Sequence, residues 1–171
     1  MFKSVVLAID GRAASGKSSL TERLARDYPT RVVHMDDFFL PQELRTDERL
    51  LEPGGNLHCE RFISEILLNL RNEAAFSYQT FDCKRMQLGE WRKLSVAQLT
   101  IVEGAYALHP KLGAYYDLVL FLTCPPETQL ARLKVRNRSK IKQFQDKWIH
   151  LEEAYFQAFK IPELADFTIQ T

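Results

Sequence analysis

Cysteine is scarce in this sequence, and the few cysteines show no pairing pattern. The 171 residues include three, Cys59, Cys83 and Cys124. They are odd in number and far apart, and no Cys-x-x-Cys occurs. This argues against a disulfide framework or a zinc site and points to a reducing, cytoplasmic setting. Long apolar runs are also missing. The N-terminal run, residues 5–9, is too short for a signal peptide or a membrane span, and no later run is long enough. Charge of one sign is missing as well: Lys plus Arg is 23 and Asp plus Glu 22, a net charge of +1. No overall basic field therefore points to nucleic acid or an anionic membrane, and any bound anion must be held by a local site. Repeats and low-complexity tracts are absent. What remains is an ordinary soluble balance, 46% apolar and 26% charged, which argues against disorder or coiled coil as the main architecture. The length suits a single domain over residues 1–171, with an insertion around residues 36–95. Self-association is left open.

The apolar runs alternate between two periods. Residues 5–9 form a continuous run closed by Asp10-Gly11, the mark of a strand buried on both faces. Leu20, Leu24 and Tyr28 then recur at helical spacing, which predicts a helix over 18–28 stopped by Pro29. Further strands are expected over 31–35, 99–102, 118–122 and 166–170, with helices over 60–70 and 127–135. Pro126 suits a first helical turn. Residues 36–57 show no sustained period and read as a long loop of the kind that often binds ligand. Residues 76–94 read as a hairpin with its turn near Leu88-Gly89-Glu90. Phe144, Trp148, Leu151, Tyr155 and Phe159 line one side of a long amphipathic helix, read as core packing. Strands alternating with helices predict an α/β sandwich with a mostly parallel five-stranded sheet.

The sharpest motif is Gly11-Arg12-Ala13-Ala14-Ser15-Gly16-Lys17-Ser18, a full G-x-x-x-x-G-K-[ST]. Its glycines let the backbone curl so that its N–H groups face a phosphate, and the next helix adds its positive end. Gly11, Arg12, Ala13, Ala14, Ser15, Gly16, Lys17, Ser18 and the adjoining Ser19 are therefore expected to bind the phosphates of ATP. Lys17 reaches toward the β- and γ-phosphates, and the Ser18 hydroxyl is offered to Mg²⁺. Asp36 and Asp37 close the second strand. Ligands of open α/β sheets bind beyond the carboxyl ends of the strands, so either aspartate could orient or deprotonate an acceptor hydroxyl. The alternative is a turn or helix cap. Glu103, closing a central strand before Gly104, is placed to hold Mg²⁺ with Ser18. Arg132 and Arg136 share a helix face and Arg138 follows; their guanidinium groups suit a transferring phosphoryl group, Arg138 on the nucleotide, unless the face is merely solvated. His58 and His109 lack metal-ligand spacing, and Cys83 reads as a partly buried, inert thiol.

These segments together resemble the uridine kinase and phosphoribulokinase family of P-loop kinases. Residues 34–41 are similar to nicotinamide riboside kinases, and residues 103–108 to the uridine kinase segment after the third strand. Residues 155–169 also fit the family's end. The resemblance implies transfer of the γ-phosphate of ATP to a hydroxyl of a small molecule, often a nucleoside, with Asp36 as catalytic base and Lys17, Arg132 and Arg136 acting on the phosphoryl group. Asp36, Asp37, Phe38, Phe81 and Arg85 are expected to contact the acceptor, with Phe76, Tyr78 and Phe81 offering flat faces for a ring. Two departures argue against uridine itself. Phe81 and Met86 stand where uridine kinases carry Tyr and His, and His58 stands near an expected Asp. The sequence also stops just past the last strand, which implies an abbreviated adenine wall. Other acceptors (a sugar, pantothenate or a nucleoside monophosphate) and a regulator that binds nucleotide without an acceptor are the competing readings.

Overall fold

Val6 and Ala8 point to one side of the first strand, Leu7 and Ile9 to the other, and all four are buried. A strand with two buried faces needs cover on both, and the computed structural model, which describes residues 4–70, 74–113, 115–136 and 138–171, supplies it. In chain order the strands are β1 (Val5–Gly11), β2 (Thr30–His34), β3 (Phe76–Asp82), β4 (Gln87–Leu94), β5 (Leu99–Glu103), β6 (Leu118–Thr123) and β7 (Phe167–Gln170). Five of them form one parallel sheet in the order β2-β5-β1-β6-β7, and β3 and β4 make a separate antiparallel hairpin. The helices are α1 (Lys17–Asp27), α2 (Asp47–Leu51), α3 (Cys59–Glu65), α4 (Pro126–Arg136), the single turn α5 (Ile141–Gln143) and α6 (Ile149–Phe159). The expected α/β sandwich with a five-stranded parallel sheet is what is found.

Each face of the sheet has its own core. Leu7, Ile9, Ile101 and Leu122 lie under Leu20 and Leu24 of α1. Val6, Ala8, Val33, Val102 and Phe121 face a larger core with Phe62 of α3 and Tyr155 and Phe156 of α6. Successive strand residues alternate between these cores because the side-chain period of a strand is two. The register does the rest: Ile9 and His34 both lie opposite Glu103, and Gly11 lies opposite Leu122. The carboxyl ends of β1, β2 and β5 therefore finish along one edge, and everything that follows them in sequence starts there.

Four local expectations need correction. Residues 36–57 are not a bare loop. They carry short 3-10 turns at Met35–Phe38 and Gln42–Leu44, and α2, where Thr46 caps the helix by accepting the Arg49 N–H at 3.2 Å. Buried Phe38, Leu40 and Leu57 hold this stretch down; isolated apolar anchors of this kind have no period to read. The helix expected over 60–70 ends at Glu65 and continues as a 3-10 turn, Leu67–Asn69. The hairpin turns between Asp82 and Gln87 rather than at Leu88-Gly89-Glu90. Asp82 Oδ1 accepts the Lys84 and Arg85 N–H groups, and Met86 takes the left-handed conformation. Gly89 sits within β4, where a Cβ would meet Thr80 Oγ1 at 2.6 Å, so it marks a close cross-strand approach. The aromatic stripe divides. Tyr155 is buried in the core, whereas Phe144 and Trp148, on a π-helical stretch Phe144–Trp148, face an open cleft.

Asp37 is the acid on which the β3–β4 hairpin converges. Asp37 accepts from the Tyr78 hydroxyl (2.9 Å), the Phe81 N–H (3.3 Å) and Arg92 Nη1 (3.0 Å). Arg61 of α3 reinforces it, donating to the Asp37 and Gln79 carbonyls. Below them, Phe38 stacks on Tyr78 and meets Phe62 edge-on.

Candidate active site

The loop between β1 and α1 owes its shape to its glycines. Gly11 has φ +139°, and a Cβ there would lie 2.0 Å from the Leu122 carbonyl oxygen, so no other residue fits against β6. Gly16, at φ +94°, is the left-handed N-cap of α1. That helix has no side-chain cap and no acidic residue in its first turn. Its leading N–H groups lack intrahelical acceptors, and with the helix dipole they make a seat for an anion. Lys17, nearly buried, curls over the loop and donates to the Gly11 carbonyl at 2.7 Å and the Arg12 carbonyl at 2.8 Å.

The loop is braced from behind by α4 and α6. Gln129 donates to the Ala13 carbonyl and Arg132 to that of Ala14. Arg12 turns away from the phosphate seat, forming a two-point pair with Glu153 at 2.6 and 2.9 Å and a bond to Thr123. Glu152 reaches in and accepts the Ala13 N–H at 2.9 Å. Asp10, fully buried, accepts from Gly11 N–H, Leu108 N–H and the Tyr155 hydroxyl, tying β1, the chain after β5 and α6 together. Burial raises its carboxyl above the usual range, against the pull of these donors.

In front of the loop lies a cleft of about 870 Å³. Ala13, Ala14, Gly16, Lys17, Ser18 and Ser19 line it, together with Arg132, which donates to the Ala14 carbonyl, and Arg136. Asp36 enters from the end of β2. Its side chain meets the solvent of the cleft but is walled in by protein, so loss of hydration raises its carboxyl above 3.8; Glu103 adds to this, while Lys17, Arg136 and His34 oppose it. Ser18 Oγ lies 3.4 Å from Glu103 Oε2. Two hard oxygen donors at the end of a phosphate seat fit Mg²⁺, which completes its shell with waters and phosphate oxygens. Among the described residues no group of three or more His, Cys, Asp or Glu could hold a metal. His34 Nδ1 sits 2.6 Å from Glu103 Oε1, and that bond raises the His34 pKa above 6.5.

The remaining expectations separate cleanly. Asp36, Lys17, Ser18, Ser19, Glu103, Arg132 and Arg136 meet at the cleft, whereas Arg138 is not among its lining residues. Asp37 is engaged by the hairpin, and Phe38 and Tyr78 are fully buried. Phe76 lies beneath the Arg31 guanidinium. Phe81 and Arg85 line a second depression, formed by the hairpin and Asp37. Of the aromatic faces expected for an acceptor ring, that of Tyr78 is core, stacked on Phe38, and none of the three lines the cleft. The cleft takes its rings from elsewhere: Phe39, Tyr106, Phe144 and Trp148, with Phe39 and Trp148 at 6.5 Å between centroids and nearly parallel. Cys83, read as partly buried, is exposed and lines the cleft. His109 is a buried residue between Pro53, Tyr155 and Phe159. Sequence reasoning missed Glu152, His34, Lys140 and Lys147. Only His34, two residues before Asp36, carried a visible signal.

Glu152 supports a pH prediction. Burial pushes its carboxyl up to about 7, with Lys17 and the Ala13 N–H pulling the other way. The folded protein thus holds this proton more tightly than the unfolded chain, whose value is near 4.5. Stability from this group is full below the unfolded value and is lost as pH rises toward 7, by roughly 3 kcal/mol at most. In Glu152→Gln that loss should vanish. Calorimetric melting of both proteins between pH 5 and 8 should show the variant improving relative to wild type as pH rises; a difference independent of pH contradicts the assignment.

No protein-family model matches the chain. Solved structures do. A possible uridine kinase from Bacillus stearothermophilus superposes with a TM-score of 0.75 at 19% identity, covering 99% of this chain and 90% of that one. A candidate fructose transport system kinase from Silicibacter sp. gives 0.68 at 26% identity, covering 99% and 91%. Phosphoribulokinase from Rhodobacter spheroides gives 0.64 at 11% identity, covering 99% and 71%. All three are described as kinases, the first as a possible and the second as a candidate one. In fold, and in the phosphate loop set between its first strand and first helix, the chain is similar to these P-loop kinase structures, the possible uridine kinase and phosphoribulokinase among them.

Proposed function

We propose that this protein is an ATP- and Mg²⁺-dependent kinase that transfers the γ-phosphoryl group to a hydroxyl of a small molecule, with a nucleoside or related riboside as the acceptor. The observation that carries this reading is a single cleft with an anion seat at one end and Asp36 facing it. A protein that only bound nucleotide would need no carboxylate there. In this reading the free amides at the start of α1, from Gly16 on, and Lys17 hold the phosphates, and Ser18 and Glu103 hold Mg²⁺. The metal would neutralise charge on the β- and γ-phosphates. Asp36 takes the proton from the acceptor hydroxyl as its oxygen bonds to phosphorus and the bond to the β-phosphate oxygen breaks. A carboxyl held above its usual pKa is a stronger base for that purpose. Arg132 and Arg136 meet the charge of the transferring group, where positioning and neutralisation supply most of the catalysis.

The test is ADP formation from ATP and Mg²⁺ with a panel of ribosides, sugars and pantothenate, against ATP loss in water alone. A riboside should accelerate ADP release by ~10²-fold or more, the scale on which a bound, oriented acceptor outcompetes water. Acceleration by another class moves the acceptor; a rate indifferent to every acceptor leaves a nucleotide-binding regulator.

A further inference from the structure

Glu152 belongs to α6, far along the chain from the phosphate loop, yet it lines the cleft and accepts the Ala13 N–H at 2.9 Å. Its side chain is nearly buried, at 8% exposure. Its neighbours on the helix do other work. Glu153 pairs with Arg12, and the Tyr155 hydroxyl donates to Asp10. The Glu152 carboxylate is thus a fixed part of the wall beside the phosphate seat, and the chemistry assigned above gives it no task.

The charged and titratable groups around it come from four elements. Asp10 lies in β1, Lys17 opens α1, Asp36 follows β2 and Tyr106 follows β5. Asp10 and Asp36 raise the Glu152 carboxyl, Lys17 lowers it, and Glu152 in turn raises the Tyr106 hydroxyl. Lys17 also lowers Asp10 and Asp36, so one ammonium serves three acids. Arg12, next to Ala13, is committed to Glu153 and Thr123. Arg132, Arg136, Lys140 and Lys147 line the same cleft. Arg132 is bound to the Ala14 carbonyl and the Thr171 hydroxyl, and Arg136 acts on Asp36.

A triphosphate changes that balance. Phosphates seated on the leading amides of α1 bring several negative charges beside these acids and draw on the Lys17 ammonium. A like charge raises a carboxyl's pKa, the more so where water is excluded. Asp10 is held by three donors, and Asp36 must be ionised to act as a base. Glu152 has the least to lose. A carboxylic acid still accepts an N–H through its carbonyl oxygen, so the bond to Ala13 survives protonation. Burial already holds this carboxyl at about 7 in the free protein.

We propose that Glu152 is a positioning residue of the phosphate seat that holds the loop at Ala13 and takes up a proton from solvent when the phosphates of a nucleotide bind. This rests on the nucleotide site of the kinase reading above. Binding raises the pKa of the carboxyl, so the complex carries more protons than the free protein, and affinity falls as pH rises past the free value.

Calorimetric titration with Mg²⁺ and a non-hydrolysable ATP analogue, in buffers of different ionisation enthalpy, counts the protons. At about pH 7.5 the wild type should take up about half a proton or more beyond Glu152→Gln. The analogue and the metal are common to both proteins, so the difference isolates this carboxyl. From about pH 7 to 8 the wild-type Kd should rise ~3–5-fold more than that of Glu152→Gln. At about pH 6 the wild-type acid is neutral; there Glu152→Gln should stay within about threefold of wild type, whereas Glu152→Ala, which frees the Ala13 N–H, should bind ~3–10-fold more weakly. Melting curves taken alongside show that each variant is folded. Equal uptake in wild type and Glu152→Gln, uptake that is lost in Asp36→Asn but kept in Glu152→Gln, or a folded Glu152→Ala that binds like wild type at the lower pH overturns the proposal. A folded wild-type protein that binds no analogue overturns both this and the kinase reading. Linked uptake without transfer to any acceptor upholds the role of Glu152 and removes the kinase reading alone; transfer without linked uptake does the reverse.

Discussion

Lys17→Ala should abolish most phosphoryl transfer, lowering kcat by about 10²–10³ or more. Lys17 is the cation placed inside the loop, nearly buried and held by two carbonyls of the same loop. In so desolvated a place its charge acts through a low local dielectric, and an alanine cannot be replaced by a solvent cation at the same point. The variant also leaves the Gly11 and Arg12 carbonyls without a donor, so a melting curve belongs beside the rate. A folded variant within a few-fold of wild-type turnover would remove the loop from the active centre.

Asp36→Asn should cost about 10²–10⁴ in kcat while ATP affinity stays close to wild type. The side chain lines the cleft, whereas the nucleotide's contacts are proposed at the phosphate loop. Because burial and Glu103 raise its carboxyl above 3.8, the acid limb of kcat should rise through a pKa above the ordinary aspartate value, and it should disappear in Asp36→Asn. The neighbouring acid gives the contrast. Asp37→Ala leaves the Tyr78 hydroxyl and the Phe81 N–H without their acceptor, which should lower stability by about 2–4 kcal/mol, seen as a lower melting temperature. If Asp37→Asn lost transfer while Asp36→Asn kept it, the base would be the other carboxylate.

The two aspartates show where reading the chain ran out. They are adjacent in sequence, and spacing alone favours neither. The 3-10 turn Met35–Phe38 rotates them apart, one toward the cleft and one under the hairpin. The aromatics were open for a related reason. Tyr78 and Phe81 sit in β3, a half-exposed strand by pattern, but which face is covered depends on how the hairpin docks on Phe38 and Arg61.

The sequence by itself determined the parallel sheet and the phosphate loop. Both are local matters: continuous apolar runs need two covered faces, and the Gly-x-x-x-x-Gly-Lys-Ser spacing defines a loop from consecutive residues. The placements of Lys17, Ser18 and Glu103 followed, because in a parallel sheet every loop after a strand opens on one edge. Only the tertiary structure decided which acid faces the cleft, that Phe39 and Trp148 rather than Tyr78 and Phe81 line it, and that Tyr106, Lys147 and Glu152 meet there at all. Those side chains come from segments without a regular period and from opposite ends of the chain. Their neighbours are set by long-range packing and by which buried polar groups find partners, and neither is written in any short window of sequence.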